Sequence, residues 1–496
     1  MTQMDPAALA DNTVRDVLAT QWTGVPAVVL NSPPGAGKTD VAERLSVQGL
    51  ALMHERVMVA TQTNEQAFDL SRRLGEGFPK LQFYMLTSKK LEIPLNVAML
   101  ANLRIVHCSG DLPGGPCVVI GNGAKWSWLD TDHCQFDLQI VDESYQLPDY
   151  RFHLIAGLAH RHVLIGDPGQ IDPVIRAELE RWRCDPAGPH VPAPRSLIER
   201  YPHVTQMSLP VSRRLVADSV TFVQPAFYPN MPFVALQESR PLRFATPGIA
   251  PMDTPLDAAT SGQTMVMVQL PALMAGEVDL ELADEMVWTV GRVLTRGASF
   301  QDEHGAHPVT PSMIGVACAH VAQVNAVRER LGPALSDVFV ETANRFQGLE
   351  RPLMFVQHPL SGRADATAFH LDAGRLCVLL SRHRVACWIF GREGIMRQLQ
   401  RYASVGDRSL GISDDPEFEG WRANIELMRA LAQRGRIYPV PGRSASAARY
   451  PAGNRPADPV PARRLGGASW RRLSRAVGAL CQGRGHGGVR RRRDRR

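Results

Sequence analysis

The residues Asn31-Ser32-Pro33-Pro34-Gly35-Ala36-Gly37-Lys38-Thr39 carry the strongest chemical signal in the chain. They follow an apolar run, Ala27–Leu30, and open a polar helical stretch. Glycines in such a turn let the backbone wrap a phosphate, whose charge is met by consecutive N–H groups and a helix N-terminus. Pro34, Gly35, Ala36 and Gly37 would form the wrap. Lys38 would reach the β- and γ-phosphates of a nucleotide, and the Thr39 hydroxyl would ligate Mg²⁺. Ser32 stands where a glycine is usual, so its φ must be negative. The blander reading is a tight strand–helix turn without a ligand.

Hydrolysis needs acids on a neighbouring strand. Phe136-Asp137-Leu138-Gln139-Ile140-Val141-Asp142-Glu143 supplies them about a hundred residues downstream. Asp142, at the strand end, would hold the metal's hydration shell, and Glu143 would orient and deprotonate the attacking water. An Asp-Glu pair alone is weak; beside a phosphate loop it argues for chemistry. His162-Val163-Leu164-Ile165-Gly166-Asp167-Pro168-Gly169-Gln170 is another strand and turn, with Gln170 placed to sense a γ-phosphate. Asp-Pro-Gly is also an ordinary turn sequence.

Such groups must be held by a parallel sheet. Val25–Asn31, Arg56–Thr61, Leu103–Cys108, Cys117–Gly121, Phe136–Asp142 and His162–Gly166 are β-branched, nearly continuous apolar runs, as strands covered on both faces require. Lys38–Gln48 and Asn64–Leu74 read as helices between them. A second alternating region begins after Arg214. Its expected strands are Thr264–Leu270, Met313–Ala317, Val338–Glu341, Leu353–Gln357 and Cys387–Phe390, and its helices Leu280–Arg296, Val321–Leu331 and Leu371–Arg382. Phe233–Ser261 reads as irregular, and Glu417–Arg434 as an amphipathic helix. The pattern predicts two doubly wound α/β domains, 1–205 and 206–440, followed by a disordered basic tail, 441–496.

The chain has 496 residues and a net charge of +6. The tail holds 15 Arg and two Asp, +13, which leaves the body at 6 − 13 = −7. Lysine is rare, five against 50 Arg, so arginine abundance is weak support for nucleic-acid binding. The eight cysteines form no CxxC pair, which excludes a zinc ribbon and a dense disulfide framework and predicts reduced thiols. Neither a secretory signal nor a membrane-length apolar run is visible, so a cytoplasmic protein without a membrane partner is expected.

Taken together and in order, Ser-Pro-Pro-Gly-Ala-Gly-Lys-Thr (32–39), Asp-Glu-Ser-Tyr-Gln (142–146) and Gly-Asp-Pro-Gly-Gln-Ile-Asp-Pro (166–173) resemble superfamily 1 helicases of the 5′→3′ branch. Thr342-Ala343-Asn344-Arg345-Phe346-Gln347-Gly348-Leu349-Glu350 is similar to the family's motif V, and Val378-Leu379-Leu380-Ser381-Arg382-His383-Arg384 to motif VI. Thr63, Asn64 and Ala67 resemble motif Ia, which touches the strand, and 319–324 the motif opening the second domain's helix. The resemblance covers roughly residues 10–400 and implies two RecA-like P-loop NTPase domains in tandem, binding ATP and Mg²⁺ and a strand of DNA or RNA. It implies that Gln146 and Gln170 couple γ-phosphate state to closure. Arg214 and Arg382 would be arginine fingers from the second domain, and Gln347, Gly348 and Glu350 would line the cleft. Where the family has Tyr-Arg, this chain has Arg213-Arg214; a guanidinium can stack on the base in the tyrosine's place. Asn12 is the nearest counterpart of an adenine-reading Gln. Asn64 and Asp142 are too close for a large wedge domain between them. The expected activity is therefore nucleic-acid-dependent ATP hydrolysis by a helicase or translocase, with an NTP-gated clamp that does not unwind as the alternative. A small-molecule P-loop kinase would leave motifs V and VI without a purpose.

Overall fold

The computed structural model describes residues 5–441 apart from 133, 174, 176–177, 183–184, 250, 252, 365 and 402–415. The basic tail expected to be disordered lies outside the described residues from 442 onward. Two compact units emerge. Among the described residues the first comprises 5–238, 372–381 and 416–426, and the second 239–371, 382–401 and 427–441.

The first unit is built on eight parallel strands: β1 (Ala27–Asn31), β2 (Arg56–Thr61), β3 (Phe83–Leu86), β4 (Leu103–Val106), β5 (Cys117–Asn122), β6 (Phe136–Val141), β7 (Ala159–Gly166) and β8 (Thr205–Ser208). Their order is β4-β3-β5-β2-β6-β7-β1-β8. Val28, Leu30, Val57, Val59, Ile140 and Val163 fill one face and Met58, Val119, Val141 and Leu164 the other, all fully buried. That two-sided burial explains why these strands read as unbroken apolar runs. The helix Asn64–Gly77 starts at a capping box in which Thr63 Oγ1 accepts from Gln66 N at 3.2 Å. Thr63 thus has a structural role as an N-cap, and Ala67 of the same helix packs into the core.

β9 (Val211–Val216) and β10 (Val234–Gln237) pair in parallel within the first unit. The sequence boundary at 205 puts these residues in the second domain; the structure puts 206–238 in the first unit. The cause is local. β8 pairs with β1, Arg213 N donates to Gly35 O at 2.9 Å, and Ser212 Oγ donates to Pro34 O at 2.7 Å.

In the second unit β11 (Leu242–Phe244) precedes β12 (Met265–Leu270), and β13 (Ala298–Asp302) and β14 (Gly305–Pro308) follow. Then come β15 (Ile314–Cys318), β16 (Phe339–Thr342), β17 (Arg351–Gln357), β18 (His383–Arg392) and β19 (Ile437–Pro439). Six form a parallel sheet, β16-β15-β17-β18-β12-β19, and β11-β13-β14 a small antiparallel one. Phe355, Trp388 and Phe390 stack in its core.

Asp279 ties this unit together. Its carboxylate caps the helix Leu280–Thr295 through Leu282 N at 3.0 Å and takes both Arg392 Nε and Nη2, at 2.8 and 2.7 Å, with both side chains 2% exposed. Gln323 clasps the Asp279 backbone in both directions. Removing one partner of such a buried pair leaves the other charge without compensation. Glu281, 2.9 Å from Arg392 Nη1, softens that loss. Asp279→Ala should therefore lower stability by about 3 kcal/mol, read as the denaturation midpoint of the second unit. A loss under about 1 kcal/mol, the cap alone, would show that Glu281 replaces it.

Among the described residues no helix is long and apolar enough to cross a membrane. The six cysteines that are described form no disulfide.

Candidate nucleotide site

The stretch 31–39 leaves the C-terminal end of β1 and enters the helix Lys38–Met53. Gly35 and Gly37 adopt φ of 69° and 93°, left-handed values that favour glycine. A Cβ on Gly35 would also run into Arg214 Cβ. Ser32 is buried and keeps out of the positive-φ region, as its side chain demands, and its N–H donates to Gly166 O at 2.8 Å. The open turn at a helix N-terminus fits a phosphate, with Lys38 and half-buried Thr39 beside it.

β6 lies two strands from β1 and delivers Asp142 and Glu143 to the same sheet edge. Lys38 Nζ stands 3.3 Å from Glu143 Oε1. Glu143 holds a left-handed backbone, φ 53°, which is strained for a residue with a Cβ. From Glu143 a polar chain runs onward. Gln146 Nε2 lies 3.4 Å from Glu143 Oε2 and 3.3 Å from Gln170 Oε1, and Gln170 Nε2 donates to Asp167 Oδ2 at 3.0 Å. The residues expected to sense phosphate state are therefore joined to the phosphate-loop lysine.

Burial, and then the neighbouring Glu143 charge, push the Asp142 carboxyl up to about 7, against the pull of Lys38. A folded-state pKa above the unfolded value means that the folded chain holds a proton the unfolded chain has lost. Between about pH 4 and 7 this group makes stability fall as pH rises, by up to about 1.4 kcal/mol per pH unit. Asp142→Asn should remove that slope in the nucleotide-free protein, since an amide oxygen can keep the bond from Glu143 N at 2.9 Å. The same variant should bind Mg²⁺-nucleotide more weakly above pH 7. Denaturation midpoints at pH 5 and pH 8 check this; parallel curves for the two proteins would show that Asp142 ionises without penalty.

Arg213 and Arg214 sit on β9, on the phosphate loop's own unit. The expectation that Arg214 comes from the second domain is thus corrected. Arg214 packs its backbone against Gly35, and its Nη1 donates to Ser381 O at 3.2 Å. The Arg213 guanidinium carbon lies 3.5 Å from where a Gly37 Cβ would stand, with Nη2 3.7 Å from Asp40. Asn12 is exposed on the helix Pro6–Trp22.

The remaining expected residues belong to the second unit. Gln347, Gly348 and Glu350 follow the short helix Ala343–Phe346; Gly348 takes φ 76°, and Gly348 and Glu350 are exposed. Arg382 is 1% exposed at the head of β18, and its carbonyl accepts from Arg351 N at 2.9 Å. Sequence reasoning missed three residues of the first unit. Tyr145 donates to Asn31 Oδ1 at 2.7 Å, Gln62 Nε2 donates to Asp142 O at 3.0 Å, and Tyr228 donates to Asp167 Oδ1 at 2.6 Å. Tyr145 could have been read from its place between Glu143 and Gln146; nothing around Tyr228 marks it.

Residues 290–394 match the family model described as an AAA domain. No curated protein matches the chain. Among solved structures the chain is similar to an arterivirus nonstructural protein 10 helicase, at 16% identity and TM-score 0.40 over 77% of this chain and 61% of that one. It is also similar to a PRRSV helicase, at 15% identity and TM-score 0.39 over 78% and 54%. A third similar structure, the arterivirus helicase in complex with DNA, gives 15% identity and TM-score 0.38 over 77% and 63%. The chain thus spans about three fifths of the length of these structures. The segment matched by the AAA-domain model contains both the Thr342–Glu350 and the Val378–Arg384 stretches.

Proposed function

We propose that the chain is a nucleic-acid-dependent ATPase, a helicase or translocase acting on single-stranded DNA or RNA. One observation carries the reading: Lys38 of the phosphate loop is paired with Glu143, and Glu143 is joined through Gln146 to Gln170. The loop's N–H groups and Lys38 bind the phosphates. Glu143, released from Lys38 when phosphate takes its place, orients the water and accepts its proton. Mg²⁺, held by Thr39 and Asp142, would shield the phosphate charge. Arg213 would cover the base, Arg214 would serve the phosphate loop from its own unit, and Arg382, carried by the other unit, would meet the charge that develops on transfer. Motif Ia would touch the strand, and Gln347, Gly348 and Glu350 would transmit closure to it.

Steady-state ATPase measured with single-stranded DNA, single-stranded RNA and no polymer tests this. Stimulation of at least about tenfold by one of them is expected. Turnover indifferent to both would favour a small-molecule kinase. The clamp alternative has its own support: 64–142 is taken up by the helix Asn64–Gly77 and by β3, β4, β5 and β6, leaving no inserted wedge domain among its described residues. Failure to open a forked duplex, with strand-stimulated ATPase intact, would favour the clamp.

A further inference from the structure

The helix Ala373–Leu380 runs directly into Ser381-Arg382, yet through Ser381 it belongs to the first unit, against the loop that carries Gln170. Three contacts fix it there. A Cβ on Gly374 would lie 2.5 Å from Gln170 O and 2.8 Å from Ile171 Cα, so the helix backbone rests directly on that loop. Arg214 holds the carbonyl of Ser381 at the C-terminal end, where a cation suits the helix dipole. Between them, Tyr228 OH stands 3.3 Å from Cys377 Sγ.

The Tyr228 hydroxyl has a second buried partner. Asp167 is fully buried and its carboxylate only accepts: from Gly169 N at 3.0 Å, from Gln170 Nε2 at 3.0 Å, and from Tyr228 OH at 2.6 Å. The Tyr228 hydroxyl thus bonds Asp167 and also lies 3.3 Å from Cys377 Sγ, which makes it the shared member of both contacts. Burial keeps that phenol protonated. The tyrosine has no slack, because a Cβ on Gly169 would lie 2.5 Å from its Cζ. Any shift of the Gln170 amide changes how Asp167 is satisfied, and a buried carboxylate transmits that demand to its remaining donors.

We infer that Tyr228 is a positioning residue that links the nucleotide sensor Gln170, through Asp167, to Cys377 and so to the helix that leads into Arg382. The inference rests on the proposed ATPase reading and names how that site is regulated. Loss of the Tyr228 hydroxyl removes no direct bond of the phosphate loop or of Glu143 and cuts the signal to the helix.

The test uses the full chain as wild type, Tyr228→Phe, Cys377→Val and Cys377→Ser. Amide hydrogen exchange of the peptide covering 373–381 is measured with and without a non-hydrolysable ATP analogue, alongside analogue affinity, thermal midpoint and strand-stimulated ATPase. In wild type the analogue should change exchange in this helix. In Tyr228→Phe and Cys377→Val that change should disappear, with analogue affinity and unstimulated turnover within about twofold of wild type and strand stimulation reduced at least tenfold. Cys377→Ser, which keeps a donor, should behave as wild type. A nucleotide-dependent exchange change that survives in both Tyr228→Phe and Cys377→Val overturns the inference. So does an equal fall of stimulated and unstimulated turnover in those two variants, the mark of a merely structural role. If wild-type ATPase ignores single strands, the parent reading fails, while the exchange comparison still decides this one.

Discussion

Replacing Glu143 with Gln should stop hydrolysis and leave nucleotide bound. The substitution is nearly isosteric, and Gln is strained by the left-handed backbone at 143 no more than Glu is, so the change isolates the charge. A positioned general base contributes about 10²–10⁴ in rate, and kcat should fall by that amount. Binding should hold or tighten for two reasons. Lys38 is no longer drawn to a carboxylate 3.3 Å away and can serve phosphate alone. The Glu143 charge is also the second cause of the raised Asp142 pKa, so removing it eases ionisation of the expected metal ligand. Lys38→Ala should do the reverse and abolish tight binding. Fluorescent-nucleotide titration separates binding from single-turnover hydrolysis. Turnover in Glu143→Gln above about a tenth of wild type, an effect below the range for a general base, would remove Glu143 from the role.

Most central strands are legible from composition, because a parallel strand covered on both faces leaves polar residues few places to stand. Arg56–Thr61 coincides with its expected range, and Val321–Leu331 does so among the helices. β3, Phe83–Leu86, is a buried apolar strand absent from the expected set, and the other misses have different causes. β8, Thr205–Ser208, alternates half-buried and exposed residues at the sheet edge, so no apolar run announces it. β11, β13 and β14 form a short antiparallel sheet with polar residues on one face, and two of them flank or enter stretches rich in turn residues. The helix 373–380 belongs to the first unit although it lies far along the chain, a property of packing that spacing cannot express.

The site divides the same way. Lys38, Glu143, Gln146 and Gln170 are legible because each follows an apolar strand at the sheet edge where ligands bind in parallel α/β folds. Arg214 is legible as a motif residue, but its unit is not: that depends on Ser212 and Arg213 bonding to Pro34 and Gly35. Tyr228 lies beyond both, 61 residues from the Asp167 it contacts, in a stretch with no periodic or motif signal.

Arg382→Ala should lower strand-stimulated kcat by about 10³–10⁵, about 4–7 kcal/mol of barrier, with KM for ATP changed only a few-fold. An arginine that meets charge only as it develops acts on the transition state, so the loss belongs in kcat rather than in binding. Its burial, 1% exposed, raises the competing view that it is simply a structural cation in an arginine-rich chain. Arg382→Lys separates the two. Lysine keeps the charge and most of the stem but loses the planar fork that grips phosphate oxygens from two directions. For a structural cation, Lys should restore turnover together with the unfolding midpoint. For a finger, Lys should restore the midpoint while kcat stays close to that of Arg382→Ala. Pre-steady-state phosphate release with both variants at saturating ATP and strand reads the difference. Near wild-type release from Arg382→Lys would sink the finger assignment and leave Arg214 as the cation beside the transferring group.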